Sequence, residues 1–134
     1  MANATANRDA QISEGVFKSY KMKASETIFA GTMVMLNSSG TAEKLDTGAN
    51  NVFVGIAVEN KVSGASGDTF VKVRTEGEFE AVASGIASSD VGKVAYGDDD
   101  QTVYDAAGTN RVKVGRIVER MSSTRCRVKI VHGV

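Results

Sequence analysis

Apolar residues recur at every second position in short runs of this chain, and no long stretch repeats them at the 3.6-residue period of a helix. Near the C-terminus, for example, Cys126, Val128 and Ile130 alternate with arginine and lysine. This alternation is typical of a β-strand with one buried face, because successive side chains of a strand point to opposite sides. The spacing therefore predicts a protein built from short strands with little helix.

The same pattern predicts strands at several further places. They are residues 20–25, 27–30, 33–36, 70–76, 79–83, 112–118 and 125–130. Residues 52–58 are apolar at both parities, which suits a strand buried on both sides and makes this segment the best candidate for the core. Residues 94–96 and 102–104 flank a five-residue polar connection, which predicts a hairpin. Residues 88–90, Ser-Ser-Asp, predict one capped helical turn before Gly92.

The turns between these strands must be made without proline, which is absent, whereas glycine occurs fourteen times. The length of 134 residues suits one domain. We predict an all-β fold with minor helix: a compact antiparallel β-barrel or β-sandwich-like domain over residues 20–134. Residues 1–19 are predicted to form a flexible, extended N-terminal arm, since Ile12 is the only branched aliphatic residue among the first fifteen.

The charge balance and the apolar runs disfavour two classes of partner. Sixteen basic and sixteen acidic residues cancel, so the overall positive field that favours nucleic acid is missing. The longest apolar runs are far shorter than the roughly 20 residues of a membrane-spanning helix. With a single cysteine and no pattern resembling a signal peptide, we expect synthesis in the host cytoplasm, without structural disulfides.

Catalytic and metal-binding signals are weak in this sequence. His132, two residues from the C-terminus, is interpreted as an exposed tail residue rather than an acid–base catalyst. Cys126 alternates with apolar residues and is interpreted as a small core hydrophobe rather than a nucleophile. Asp98, Asp99 and Asp100 have the chemistry of a calcium site but not its known ligand spacing, so a solvated hairpin tip is the preferred interpretation. We expect no enzyme activity, no cofactor and no metal site.

Charge is nevertheless distributed unevenly along the chain. Residues 111–129 contain seven basic residues and one acid, Glu119, whereas residues 90–105 contain five acids and one base, Lys93. One interpretation, which we prefer, is that the basic residues keep exposed strands soluble and prevent edge pairing. The other is a charge-complementary contact with an acidic shell or a neighbouring subunit.

Four short segments, in this order, resemble the phage capsid cement, or decoration, proteins. They are AGTMV at 30–34, VGIA at 54–57, GDTFVKV at 67–73 and VGRIV at 114–118. The resemblance covers roughly residues 20 to 131. The chain departs from the family pattern at Thr32, where an acid is common, and at residues 90–93, where the family often has a glycine–acid pair.

The resemblance implies a β-rich protein on the outer surface of a mature phage head, similar in role to the head decoration protein of phage lambda. Its implied partners are the major capsid protein and further copies of itself, often as a trimer, with neither nucleic acid nor membrane involved. Because cement requires an adaptable attachment segment, we expect the capsid contacts near the N-terminus. The candidate contact residues are Arg8, Asp9, Ile12, Val16 and Phe17.

Two alternatives remain open from the sequence. Another structural virion component, such as a tail-tube or head-fibre subunit, would use a similar β domain to polymerise by itself. A small β-barrel enzyme or ligand-binding module would need a concave pocket with converging polar groups, for which the sequence offers no candidate set.

Overall fold

The computed structural model of the protein describes Ala2, residues 5–7 and residues 15–134. Apart from a single 3₁₀ turn at Ser88–Asp90, the regular structure in this part of the chain is β-strand. The strands are β1 (Phe17–Lys21), β2 (Thr27–Ile28), β3 (Met33–Leu36), β4 (Ala42–Lys44), β5 (Val52–Ala57), β6 (Lys61–Val62), β7 (Phe70–Arg74), β8 (Glu78–Ala83), β9 (Val94–Gly97), β10 (Thr102–Tyr104), β11 (Val112–Arg120) and β12 (Arg125–Ile130). The predicted all-β class with minor helix is confirmed.

Five strands of the C-terminal half close into a barrel in the order β10-β8-β12-β11-β9. The pairs are antiparallel except β8 with β10, which are parallel. Strands β9 and β10 form the predicted hairpin, with Val103 opposite Gly97. We call this unit the C-terminal barrel.

Five strands of the N-terminal half form a sheet in the order β1-β7-β5-β3-β4. A parallel bridge between Met22 and Ala42 brings the two edges of this sheet together. The Lys23 amide donates to the Ala42 carbonyl across the same junction, at 2.8 Å. We call this curved sheet the N-terminal barrel; the short ribbon of β2 and β6 is an addition that pairs separately.

The two barrels have the same topology, strand for strand. Strands β1, β3, β4, β5 and β7 correspond to β8, β9, β10, β11 and β12, including the parallel contact that joins the first and third members of each set. Five backbone hydrogen bonds recur at matching positions. Each bond of the N-terminal barrel is given with its counterpart in the C-terminal barrel, and the amide donor is written before the carbonyl acceptor. The matches are Thr75–Val16 with Ile130–Gly77, Met22–Thr69 with Ala83–Thr124, Lys23–Ala42 with Ser84–Val103, Gly31–Ala57 with Gly92–Ile117, and Ala57–Thr32 with Ile117–Lys93. The chain is therefore an internal duplication of one five-stranded unit.

A β-bulge lies at the same place in both barrels. In β5 the register shifts so that Val54 is the extra residue opposite β3, and in β11 Val114 is the extra residue opposite β9. Each bulge is followed by a glycine with a positive φ, +150° at Gly55 and +155° at Gly115. A side chain at either position would overlap a carbonyl oxygen of the neighbouring strand, so both bulges depend on glycine.

Two apolar clusters fill the molecule. The cluster within the N-terminal barrel includes Val34, Val54, Val71 and Val73. The larger cluster fills the C-terminal barrel and continues into the outer side of β3 and β5. Its members from these two strands are Met33, Met35, Phe53 and, partly buried, Ile56. The larger cluster thus joins the two barrels.

The prediction that residues 52–58 form a strand buried on both sides is confirmed for the middle of the segment and wrong at its ends. Phe53 belongs to one cluster and Val54 to the other. Val52 and Val58, in contrast, are exposed. The bulge at Val54 interrupts the alternation, so the shared parity of the valines does not correspond to one face.

The first strand begins earlier than the sequence indicates. Phe17 pairs with Arg74 at the start of β1, so the predicted boundary at residue 20 falls inside a strand. Alternation misses this start because Phe17 and Ser19 are exposed and Lys18 is charged. Most of the predicted arm, residues 1, 3–4 and 8–14, lies outside the described residues. No helix among the described residues is long and apolar enough to cross a membrane.

The helical turn predicted at residues 88–90 is present, and Asp90 stabilises it from within. Its side chain accepts a hydrogen bond from the Ala87 amide at 2.8 Å and lies 3.2 Å from the Lys93 ammonium. The bond from Ala87 lowers the pKa of the buried Asp90 carboxyl, burial opposes the shift, and Lys93 adds to it. The ionised form is therefore favoured by folding.

We expect the charge of Asp90 to stabilise the protein in a pH-dependent way. Because its pKa is lowered in the folded state, this stabilisation is complete above the ordinary value of 3.8 and disappears as pH falls through the lower folded pKa. Asp90→Asn keeps an acceptor for Ala87 but removes the charge. Urea unfolding should show the variant less stable at neutral pH and equal to the wild type in strong acid. An equal difference at both pH values would contradict the assignment.

Candidate functional site: an aromatic and basic face on β1 and β7

The N-terminal barrel exposes aromatic rings among cationic side chains on the outer side of β1 and β7. The Lys72 ammonium lies 4.9 Å from the centre of the Phe17 ring, and the Arg74 guanidinium carbon lies 5.5 Å from it. Both distances allow cation–π attraction, which holds the exposed ring in place. Across the same pair of strands, Lys21 lies opposite Phe70, whose ring is also exposed.

We call these outward residues the aromatic–basic face. They are Phe17, Ser19 and Lys21 of β1 and Phe70, Lys72 and Arg74 of β7. The side chains between them on β7, Val71 and Val73, are fully buried in the N-terminal core. Alternation thus anchors the strand with valine while presenting phenylalanine, lysine and arginine to solvent. Aromatic residues and arginine are the types enriched where proteins bind one another.

The outer edge of β1 adds backbone groups to this face. The Val16 carbonyl accepts from the Thr75 amide, and the Met22 amide donates to the Thr69 carbonyl, both at 2.8 Å. Even-numbered residues of β1 therefore direct their peptide groups towards β7. Since peptide groups alternate along a strand, those of Phe17, Ser19 and Lys21 point away from it, as at the edge of a sheet.

One of the predicted contact residues lies on this face, and a second lies next to it. Phe17 is part of it, and Val16 immediately precedes it and pairs with β7 through its carbonyl. Arg8, Asp9 and Ile12 lie outside the described residues, so their predicted role stays a prediction. Phe70, Lys72 and Arg74 were not among the contact residues predicted from the sequence. Their alternation with Val71 and Val73 could have indicated them, because it places one aromatic and two cations on a single face of the strand.

The basic run at residues 111–129 is largely satisfied within the molecule. Arg125 pairs with Glu80 at 2.8 Å and Arg127 with Glu119 at 3.5 Å. Arg116 and Arg120 donate to the carbonyls of Gly92 and Ile86, and Arg111 pairs with Asp98. Strand β12 also lies beside the glutamates of β8. For Arg111, Arg120, Arg125 and Arg127 the geometry favours the preferred interpretation, in which these charges serve the barrel surface.

The three aspartates at the tip of the β9–β10 hairpin take part in local contacts. Asp98 pairs with Arg111 at 3.2 Å, and the Asp99 carboxylate accepts from the amides of Gln101 and Thr102 at 2.9 and 2.7 Å. Asp100 accepts through its carbonyl from the Met33 amide of the other barrel. The prediction of a solvated tip is therefore incomplete, since the tip also fixes the hairpin and joins the barrels.

The two residues weighed as catalysts have structural contacts. His132 stacks on Phe53, with ring centres 6.4 Å apart, and its Nε2 lies 2.9 Å from the Thr75 carbonyl. The side chain is exposed, as the sequence indicated, although its ring packs on Phe53. Cys126 lies in the C-terminal core, where burial raises the pKa of its thiol. Its interpretation as a core hydrophobe is confirmed.

Within the part of the chain that the structure describes, there is no group of three or more His, Cys, Asp or Glu side chains placed to hold a metal ion. No protein-family model matches this sequence, and no curated protein matches it either.

Proposed function

We propose that the protein is a phage capsid decoration protein that binds the outer surface of the assembled head and bridges adjacent major capsid protein subunits. The aromatic–basic face carries the proposal. It combines two exposed phenylalanines, three cations and, among the described residues, an open strand edge, on β1 at the N-terminal side of the domain and on the adjacent β7. This is the end of the domain at which the family resemblance led us to expect attachment.

The four segments that carry the resemblance have defined places in the fold. AGTMV leads into β3 and VGIA contains the β5 bulge, whereas GDTFVKV forms most of β7 and VGRIV contains the β11 bulge. Three of them therefore build the N-terminal barrel and the fourth repeats its bulge. The residues that resemble the decoration proteins are thus those that form the strands and bulges of the barrels, which supports the proposed class of protein.

The proposed action is mechanical. A standard interface buries about 800 Å² on each partner, and a trimer would make three such attachments to the head. Linked attachments hold firmly even when a single one exchanges, because each rebinds at high effective concentration. In this proposal the partners are the major capsid protein and two further copies of the chain, and the bound protein resists separation of capsid subunits.

Binding to heads lacking this protein tests the proposal. We expect Phe17→Ala to lower head affinity at least tenfold, which corresponds to about 1.4 kcal/mol, because the ring and the packing of two cations are lost together. Lys72→Glu should act in the same direction. Phe29→Ala is the matched control, since Phe29 is an exposed phenylalanine outside this face. Co-sedimentation of purified variants with bare heads gives the affinities.

The outcomes separate the competing functions. Equal affinity of wild type, Phe17→Ala and Phe29→Ala variants would exclude the aromatic–basic face. If only a variant lacking residues 1–14 then lost affinity, the contact would lie in the predicted arm. No binding of the wild type to any head, with polymerisation of the purified protein instead, would favour a tail-tube or head-fibre subunit.

A further inference from the structure

The duplicated fold contains an interface that occurs once among the described residues, although its two barrels are alike. One end, or mouth, of the C-terminal barrel is covered by the outer side of β3 and β5. The Phe53 ring lies 6.2 Å from Phe79 at this mouth. A Cβ at Gly97 would lie 3.0 Å from Leu45 Cδ2 and 3.5 Å from Met33 Cε, so these side chains pack directly on the barrel end.

The corresponding mouth of the N-terminal barrel is a cleft of about 340 Å³. Its lining includes Lys18, Tyr20, Val52, Val54 and Thr75. In the described part of the chain, no second sheet covers it. The difference is clear at one matched pair: Val112, at the covered mouth, is 5% exposed, whereas its counterpart Val52 is 58% exposed. A valine at the rim of an apolar cleft is thus left in solvent.

The face that would cover this cleft is present on the C-terminal barrel. The register of β9 and β11 places Val94, Tyr96, Lys113 and Arg116 where β3 and β5 have Met33, Met35, Phe53 and Ile56. Val94 and Tyr96 are only half-buried, and Arg116 is exposed. The more polar composition of this face suits a contact made between molecules rather than within one core.

We propose that the open mouth of the N-terminal barrel receives the β9–β11 face of a second copy of the chain, by the packing that already joins the two barrels of one copy. Arg116 and Lys113 bring cations to the contact, where Glu76 offers a carboxylate and Lys18 a like charge. The side chains at these positions therefore meet differently in detail from Phe53 and Phe79 within one copy. Because mouth and face are different surfaces, the contact is head-to-tail and leaves each copy able to bind two others. Closure after three copies gives a ring of six barrels.

Of this inference, only the number of copies in the ring, three, rests on the proposed function. Sedimentation equilibrium of the purified chain should show association towards three times the 14.1 kDa chain mass as concentration rises. Val52→Asp, which places a carboxylate in the mouth, should give monomers. Tyr96→Glu, or Arg116→Glu if that variant folds poorly, should also give monomers. Val62→Asp is the control and should associate as the wild type does, since Val62 is 70% exposed on the separate β6 ribbon.

A mixture of the two monomeric variants gives the sharpest result. A Val52→Asp chain retains its face and a Tyr96→Glu chain retains its mouth, so together they should form one-to-one pairs and nothing larger. Monomers in the mixture, or a wild type that stays at one chain mass at every concentration, would overturn the proposal. So would self-association that appears only after deletion of residues 1–14, because the chain's own N-terminal segment would then be the occupant. Head binding by aromatic–basic face variants is measured separately, so failure of one proposal does not imply failure of the other.

Discussion

Gly115→Ala is expected to lower the free energy of unfolding by roughly 3 to 5 kcal/mol. At φ +155° a Cβ would overlap the Lys129 carbonyl oxygen and lie 3.1 Å from the Val131 amide nitrogen. Both obstacles are backbone atoms of the neighbouring strand, so no side chain can rotate away to relieve the overlap. The bulge in β11 would have to open, and with it the closed barrel. For a protein of ordinary stability, about 5 to 15 kcal/mol, much of the folded state would be lost on mild warming.

Thermal and urea unfolding measure this effect, and the chain offers matched variants. Gly55→Ala should behave like Gly115→Ala, because its Cβ would overlap the Arg74 carbonyl oxygen at the equivalent bulge. Gly64→Ala is the control: nothing lies within 4 Å of its Cβ position. We expect this control to change stability by less than about 0.5 kcal/mol. Similar melting temperatures for all three variants would show that the bulges do not require glycine.

Val54→Asp is expected to abolish soluble expression, because Val54 is buried in the N-terminal core and an unpaired carboxylate there has no compensating partner. Ile56→Asp should be less severe, since Ile56 is only partly buried. Arg125→Asp should be mild: the residue is exposed and loses a surface ion pair with Glu80, although the new carboxylate faces that glutamate. Soluble yield, followed by urea unfolding of whatever is recovered, gives the order of the three variants.

The expected order is itself the test of the core assignment. If Arg125→Asp were as harmful as Val54→Asp, the barrel surface would contribute as much to stability as the core. If Ile56→Asp were the most harmful, the half-buried side of β5 would be more important than the interior of the N-terminal barrel. Val62→Asp on the exposed β6 ribbon should leave soluble yield unchanged and completes the series.

Local alternation predicted most of the fold correctly. Cys126, Val128 and Ile130 lie in the C-terminal core as their spacing indicates, and the β9–β10 hairpin forms where two short apolar runs flank a polar connection. Alternation failed at β5, where the bulge changes which parity faces the core. It also failed at the start of β1, whose outward residues include Phe17. In both places the deciding contact is with a strand distant in sequence.

The duplication could have been found from the sequence, because residues 48–59 and 108–119 are identical at seven of twelve positions, sixty residues apart. The shared residues include the glycine of each bulge, Gly55 and Gly115. Other features leave no signal in the sequence: the contact of Lys72 and Arg74 with the Phe17 ring follows only from the pairing of β1 with β7.

The sequence by itself determined the class of this protein, short strands closed by glycine-rich turns, because strand alternation and turn chemistry are properties of neighbouring residues. It also contained the alternation that places Phe70, Lys72 and Arg74 on one face of a strand. Only the tertiary structure decided how the two duplicated units close and pack, that one barrel covers the mouth of the other, and that Phe17 lies beside two cations. Those features depend on contacts between residues far apart in the chain, whose register is set by the packing of whole sheets.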